Sequence, residues 1–598
     1  MTNDISSHLA DTLVELRSRI VTHLSHLYPE VDHDALCDEI IDIMDFEGMC
    51  HQPRQFENFW DETDIAVITY ADSIVEISAE PDVTSFHSLD DFFFQHLKDL
   101  ISIVHVLPFY PYSSDDGFAV IDYLQVDKKL GGWPDVRQLT THFKLMADLV
   151  INHCSSQSQW FENFKQNKDP GKDYFVCANP DDDLSRVVRP RTSPLLQKVK
   201  TADGDKHVWC TFSHDQVDLN FANPEVLLEF VKIVAFYLRN GIEIFRLDAV
   251  AFLWKIIGTD CLNLAQTHEV VRLFRTLVEH AKPDALLITE TNIPNQENLS
   301  YFGNANEAHI IYNFSLPPLL VNTLLTGDCH YLRTWMMSMP PARNGTTYLN
   351  FIASHDGLGL RPAEGLLSDE EIMTLAETLQ DFGGHISRRA LNHGSDAERP
   401  YEINISLYDA LQGTTKGGDQ YNHERFICAH AIMLALEGIP AFYFNSLVAT
   451  HNDDEKLKRS GHNRAINRHN WDRELLEQAL SNGSEHQRTF EALSELIKIR
   501  KANPCFHPNA TQFTLHLPGS NNQNQVFAFW RQSIDRQQNV FCVYNISDKI
   551  QSVSLSDLNL INTDSWHDLI TGEDFDNHKA EIRLKPYGFI WLSNQAWI

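Results

Sequence analysis

No stretch of about 18 apolar residues occurs in the 598-residue sequence, which removes a membrane-spanning helix from consideration. Paired cysteine motifs are missing as well. The ten cysteines are scattered without a CxxC, so free thiols in a reducing compartment are expected rather than a disulfide framework. Positive charge is scarce: 48 lysines and arginines face 82 acids, a formal net charge of −34. Nucleic acid is excluded as a partner, because phosphate-backbone binding needs a basic face. An anionic small molecule would have to be met by a local cluster of arginines. The opening MTNDISSHLADTLVELRSRI has early acids and no apolar core, unlike a signal peptide, and a cytoplasmic location is the expectation. EF-hand and HExxH spacings are absent, His423-Glu424 lacking the second histidine, so no metal is implied. There is no internal repeat and no low-complexity segment.

What the chain does have is two kinds of periodicity. Over residues 1–58, Leu9, Leu13, Leu16, Ile20, Leu24 and Leu27 recur at three- and four-residue spacing. That pattern predicts an N-terminal helical extension packed on a larger body. From about residue 64, eight short apolar runs alternate with amphipathic stretches: 64–71, 102–108, 144–153, 242–250, 285–292, 309–314, 347–356 and 439–445. Between two of them, PEVLLEFVKIVAFYLRNG (224–241) starts with proline and ends with glycine, which is helix punctuation. Eight strands separated by helices predict an α/β fold, a (β/α)8 TIM barrel over residues 59–507. The gaps at about 154–221, after the third strand, and 357–422, after the seventh, exceed simple connections. They predict inserted loop domains around the mouth of the barrel. Beyond residue 508, FTLHLP, VFAFWR, NVFCVYNIS, SVSLSDL and EIRLKPYGFIWLS alternate without helices, which predicts a C-terminal antiparallel β domain over 508–598.

Three acids fall at the carboxyl ends of predicted strands: Asp248 in FRLDAV, Glu290 in LLITETN and Asp356 in NFIASHDG. An acid in an apolar run is costly unless it has a partner or a task, and in a parallel barrel all three open onto one mouth. Arg246 lies two residues before Asp248, on the same side of a strand. It would keep that carboxylate ionised, as a nucleophile requires; a buried Arg–Asp pair serving structure alone would look the same. Glu290, among apolar and small neighbours, should hold its proton toward neutrality and act as acid and base. Asp356, between His355 and Gly357, would hold sugar hydroxyls and favour an oxocarbenium-like transition state. DLVINH adds His153 at the end of the third strand. This set suits the splitting or remaking of a glycosidic bond, which uses one carboxylate as nucleophile and another as acid/base.

These four segments resemble the four signature regions of glycoside hydrolase family 13, the α-amylase clan. FSHDQVDLN (212–220) resembles a further stretch of that clan near the end of its inserted domain. The resemblance runs from about residue 60 to 595. It implies Asp248 as nucleophile, Glu290 as acid/base, Asp356 as transition-state stabiliser, and Arg246, His153 and His355 as sugar-binding neighbours. LPFYPYSSDDGFAVIDYLQVD (107–127), RPR (189–191), NFSLPPLL, SHDGLGL and GHNRAINRHNW are similar to the sucrose phosphorylase subfamily within the clan. Inside those strings, Asp115 and Arg464 resemble the pair that clasps the far hydroxyls of the glucosyl unit. Phe118 resembles the aromatic platform beside it.

The loop RPYEINIS (399–406) carries Tyr401 and also Glu402, where sucrose phosphorylases have glutamine; both join the substrate-binding set. With the N-terminal helices and PFYPYSSDDGF, it resembles the glucosylglycerate phosphorylases, and glucosylglycerol phosphorylases are also similar. The resemblance implies a retaining hexosyltransferase without a cofactor, using inorganic phosphate as co-substrate. It would convert an α-glucoside, 2-O-α-D-glucosylglycerate first and sucrose or glucosylglycerol as alternatives, into α-D-glucose 1-phosphate. An α-glucosidase or transglucosidase and a non-catalytic binding barrel are the rival readings. Arg189, Arg191 and Arg361 are the candidates for holding phosphate and glycerate, since guanidinium forks match oxyanions. A homodimer is compatible with the sequence.

Overall fold

Eight parallel strands close a barrel in chain order: β1 (Ala66–Thr69), β2 (Ile103–Val106), β3 (Lys144–Val150), β4 (Ile242–Asp248), β5 (Leu286–Thr289), β6 (Ile310–Tyr312), β7 (Thr347–Phe351) and β8 (Ile439–Tyr443), which pairs back onto β1. The computed structural model describes residues 2–54, 56–76, 83–191, 193–390, 398–517, 524–561, 563, 565–577 and 580–595, without the side chains of 2–9 and 390. The side chain of Leu9 and Pro518 at the end of FTLHLP therefore lie outside the described residues. The eight strands are the eight apolar runs of the sequence. Their near-continuous hydrophobicity reflects burial on both faces, inside the barrel and under the helices. Each strand stops short of its run at the carboxyl end, because the chain leaves the ladder there to line the mouth. His153, expected to end the third strand, instead begins a short antiparallel pairing of His153–Ser155 with Gln216–Asp218.

Local signals explain the connections. The helix Pro224–Arg239 starts at a proline behind Asn223, whose side chain accepts the Glu225 N–H, as an N-cap should. It is followed by Gly241 at φ +89°, where a Cβ would sit 2.8 Å from Thr140 Oγ1.

The insertion after β3 contains a helix, Gln159–Lys165, and a hairpin of Leu196–Thr201 with Gly204–Trp209. The segment after β7 folds into a three-stranded sheet of Leu358–Gly359, Glu398–Asn404 and His385–Ala390. Neither set of strands shows in the sequence: Leu196–Thr201 and Gly204–Trp209 are polar and partly exposed and carry no apolar alternation, and Glu398–Asn404, though mostly buried, is dominated by charged and polar residues.

The C-terminal segment forms a six-stranded sheet and a separate two-stranded one. Trp566, Phe541 and Leu592 are in its core, and one helical turn, Leu555–Leu558, interrupts the expected SVSLSDL strand. It docks on the helix Asn422–Ala435 through Tyr544 Oη to the Ala431 carbonyl at 3.1 Å and Arg531 Nη1 to the Ala435 carbonyl at 3.0 Å. Among the described residues no helix is long and apolar enough to cross a membrane, and no group of three His, Cys, Asp or Glu is placed to hold a metal.

The N-terminal extension is two helices, α1 (Thr2–Leu27) and α2 (His33–Met44). Leu16, Ile20, Leu24 and Leu27 are buried, and α1 lies along the barrel helix Ala265–Ala281. At that seam His23 Nδ1 is 2.7 Å from Glu269 Oε1, and Arg272 donates to Glu269 Oε2 at 2.8 Å. Burial opposes ionisation of Glu269, yet the bonds from His23 and Arg272 outweigh it and hold the carboxyl down at about 2. A folded value below the ordinary ~4.3 means a stability contribution that is complete above that ordinary value and lost as pH falls toward 2. Denaturant unfolding of Glu269→Gln at pH 7 should show a loss of roughly 1–3 kcal/mol that shrinks as both proteins are compared at lower pH. A deficit independent of pH would show that this seam does not depend on the carboxylate.

Candidate active site

The barrel interior below the mouth carries a buried charge train. Asp148 on β3 accepts from His105 Nε2 on β2 at 2.8 Å and from Arg246 Nη1 on β4, and the same Nη1 donates to Asp248 Oδ1 at 2.8 Å. All four side chains are buried. Burial alone would raise Asp148, but Arg246 and His105 overcome it and keep the carboxyl below its usual range. Arg246 also lies 5.7 Å from the Phe118 ring centre and 5.5 Å from that of Tyr312. It therefore sits beneath the site as an anchored cation rather than as a lid over substrate. Asp148 is a functional neighbour that the sequence reading passed over. The signal was an acid four residues before Asn152 in an otherwise apolar strand.

Asp248 ends β4 and Glu290 follows β5, and Glu290 Oε2 accepts the N–H of Ala249 at 2.9 Å. That contact holds the second carboxyl against the residue after the first. Burial pushes both acids above the ordinary carboxyl range; Arg246 opposes this at both, and other nearby carboxylates reinforce it. The direct Arg246 hydrogen bond favours the charged form of Asp248 against that burial.

Asp356 lies five residues beyond the end of β7, on a loop clamped from outside. Asn467 Nδ2 donates to the carbonyls of Ser354 and Asp356 at 3.0 and 2.9 Å, and Arg468 Nε donates to the His355 carbonyl at 2.8 Å. Both clamps belong to GHNRAINRHNW, although only Arg464 of that string was singled out. Arg464 Nη1 is 2.5 Å from Asp356 Oδ1 and 4.0 Å from Asp115 Oδ1.

The Nε and Nη2 of Arg464 form a two-pronged pair with Glu402, at 3.0 and 2.7 Å. Glu402 was expected to touch substrate. It is buried and engaged on Arg464, whose charge Asp356, Glu402 and Asp115 sustain against burial, and it lines the wider opening beside the catalytic cavity with Tyr401 and Arg464.

Asp115 and Asp116 adopt φ of 54° and 45°, a conformation uncommon outside glycine that marks built-in strain at a site. The following Gly117 has φ +113°, and a Cβ there would lie 2.6 Å from the Pro108 carbonyl.

Asp115, Phe118, His153, Asp248, Glu290, His355, Asp356, Arg464, Tyr401, Arg191 and Arg361 line one cavity at the mouth, so residues spread over 350 positions converge. Phe118 and His355 stack with ring centres 5.1 Å apart and planes at 6°. His153 Nε2 is 3.0 Å from the Phe118 carbonyl. Burial pulls both histidines below their ordinary value, for His355 with help from Arg468, Arg246 and Arg464. Both therefore favour the neutral form.

Arg189 corrects an expectation. Its guanidinium bonds the backbone carbonyls of Ser193, Cys210 and Thr211 and staples the insertion, because a half-buried loop leaves carbonyls that need donors. Arg191, two residues on, lies 5.8 Å from the ring centres of Phe212 and Tyr401 and faces the cavity. Gln216, Phe212, Phe252 and Asn292 also line it. Of these, Gln216 and Phe212 stood inside the quoted FSHDQVDLN, whereas Asn292 carried no signal beyond following Glu290.

Comparison with known proteins bears on the fold and the family. The profile for the α-amylase catalytic domain matches residues 94–357, and that for the maltogenic amylase C-terminal domain matches residues 517–591. The chain is 40% identical to a glucosylglycerate phosphorylase of Allomeiothermus silvanus over 97% of this chain and 99% of that protein. It is 39% identical to a glucosylglycerate phosphorylase of Escherichia coli, over 89% and 92%. Its fold is similar to the crystal structure of sucrose 6F-phosphate phosphorylase from Thermoanaerobacter thermosaccharolyticum, with TM-score 0.70 and 22% identity over 88% of this chain and 98% of that one. The chain belongs to the α-amylase family, glycoside hydrolase family 13, and within it to the sucrose phosphorylase subfamily that includes the glucosylglycerate phosphorylases.

Proposed function

We propose that the protein is a retaining glycoside phosphorylase that transfers the glucosyl unit of 2-O-α-D-glucosylglycerate to inorganic phosphate, giving α-D-glucose 1-phosphate and D-glycerate. The observation that carries this reading is one cavity holding three carboxyl groups at the ends of β4, β5 and β7 together with two arginines, Arg191 and Arg361. Acids of this kind process a glycosidic bond, and arginines in an acidic protein answer to anions. The names of the relatives supply the choice of glycerate.

The Asp248 carboxylate attacks C1 while Glu290 gives its proton to the glycosidic oxygen, and glycerate departs. The product of this step is a β-glucosyl ester on Asp248. Phosphate then occupies the vacated subsite and yields a proton to Glu290 as its oxygen attacks C1. The ester bond breaks, Asp248 is restored, and two inversions give net retention. Asp356, pinned by Arg464, faces the ring as positive charge develops. No cofactor enters the scheme, and the ten free cysteines fit a reducing cytoplasm.

Purified protein given glucosylglycerate and phosphate should release glucose 1-phosphate whose first-formed anomer is α by NMR. Release of free glucose alone, with or without phosphate, would leave a hydrolase instead. Asp248→Asn should lower kcat by about 10⁴-fold or more, and wild-type protein quenched during turnover should carry one labelled glucosyl group per chain.

Because burial raises Glu290, its acid form persists above the ordinary ~4.3, and kcat/KM should fall on the alkaline side as that proton is lost. Glu290→Gln should abolish this limb. It should also remain far more active on α-glucosyl fluoride, whose leaving group needs no proton, than on glucosylglycerate. Equal losses on both donors would remove Glu290 as the acid.

A further inference from the structure

Two arginines line the cavity, and their settings differ. Arg191 also lines the larger vestibule outside, of about 770 Å³, so it stands at the threshold. Arg361 lines the inner cavity and not that vestibule. Its backbone is pinned: the Leu360 N–H bonds the Tyr401 carbonyl at 2.9 Å and Ser315 Oγ bonds the Pro362 carbonyl at 3.0 Å. Among the described residues no acid pairs with it within 4 Å, and Glu364 in the same turn is occupied by Arg389 at 2.7 Å. Burial works against the Arg361 charge. A half-buried cation without a protein counter-ion, facing a cavity, is a site for an anion brought by the ligand.

Asn292 is the second element. It lies two residues beyond Glu290 and lines the same cavity. Its Oδ1 is buried without a hydrogen-bond partner, and such an atom carries a desolvation cost until a donor arrives. The Leu358–Gly359 strand passes close to this amide: a Cβ on Gly359 would come within 3.0 Å of Asn292 Nδ2.

We infer that Arg361 and Asn292 are the acceptor-reading pair of the site. Arg361 takes the carboxylate of glycerate and, in the second half-reaction, phosphate, while Asn292 Oδ1 accepts the hydrogen bond of the free C3 hydroxyl. This rests on the phosphorylase reading above. In 2-O-glucosylglycerate the carboxylate and the C3 hydroxyl flank the very oxygen that Glu290 protonates. One anionic and one hydroxyl contact on either side of the acid therefore define a small hydroxy acid, and reject an uncharged polyol or a ketose.

The test runs the reaction in reverse, with α-glucose 1-phosphate as donor and three acceptors. D-Glycerate has both groups, glycolate has the carboxylate without the C3 hydroxyl, and glycerol has hydroxyls without the carboxylate. For Arg361→Leu the glycerate-to-glycerol ratio of kcat/KM should collapse by about 10–100-fold, the size of a charge-assisted hydrogen bond. The glycerate-to-glycolate ratio should hold. For Asn292→Ala the pattern reverses, with the glycerate-to-glycolate ratio falling roughly 5–10-fold and the preference for charged acceptors kept. Arg361→Lys retains the cation and guards against a folding defect in the leucine variant. It should lose part of the glycerate preference, because a point charge replaces a fork. Wild-type ratios in both Arg361 variants, or in Asn292→Ala, would overturn the assignment of that residue. A wild-type protein that consumes no glucose 1-phosphate with any acceptor would instead overturn the phosphorylase reading, and this pair with it.

Discussion

Arg246 held between Asp148 and Asp248 is the interaction on which the rest of the site depends. A guanidinium buried inside a closed barrel would be prohibitive alone. It is tolerated because Asp148 and Asp248 bond it from two sides, His105 ties Asp148, and the faces of Phe118 and Tyr312 lie beside it. The consequence is geometric. If Asp248 turned away from the mouth, Arg246 would lose one of its two carboxylate partners, so the pairing orients the nucleophile before substrate arrives.

The same logic of anchoring by charge is repeated one layer higher. Arg464 is gripped by Glu402 and directed at Asp356, and Arg468 and Asn467 fix the loop that carries Asp356. The outer ring is built from segments that are distant in sequence but cross at the mouth. Rigidity comes from the barrel and selectivity from the inserted loops, a division that parallel barrels make available. Against a net charge of −34, Arg191 and Arg361 are cations set in a cavity that also holds Asp115, Asp248, Glu290 and Asp356.

Much of this was legible in the chain. Eight apolar runs with helical spacers specify a barrel, because strands buried on both faces must be hydrophobic throughout. Asp248, Glu290 and Asp356 stand out because acids are costly at such strand ends. Other assignments needed three dimensions. Arg189 and Arg191 flank one proline in RPR, and no local pattern says that the first staples carbonyls while the second faces the cavity. That Glu402 grips Arg464, 62 residues away, shows only once the two loops are brought together. The small sheets of the insertions were invisible because polar and charged residues break the apolar period of their strands.

The sequence by itself determined the strand count, the class of fold and the identity of the three acids, because burial and charge leave marks in the order of residues. The tertiary structure alone decided which cations are occupied and which are open to a ligand. Pairing across loops depends on distances that no spacing encodes: Arg464 is satisfied by Glu402, Arg246 by Asp148, and Arg361 by no acid of the described chain.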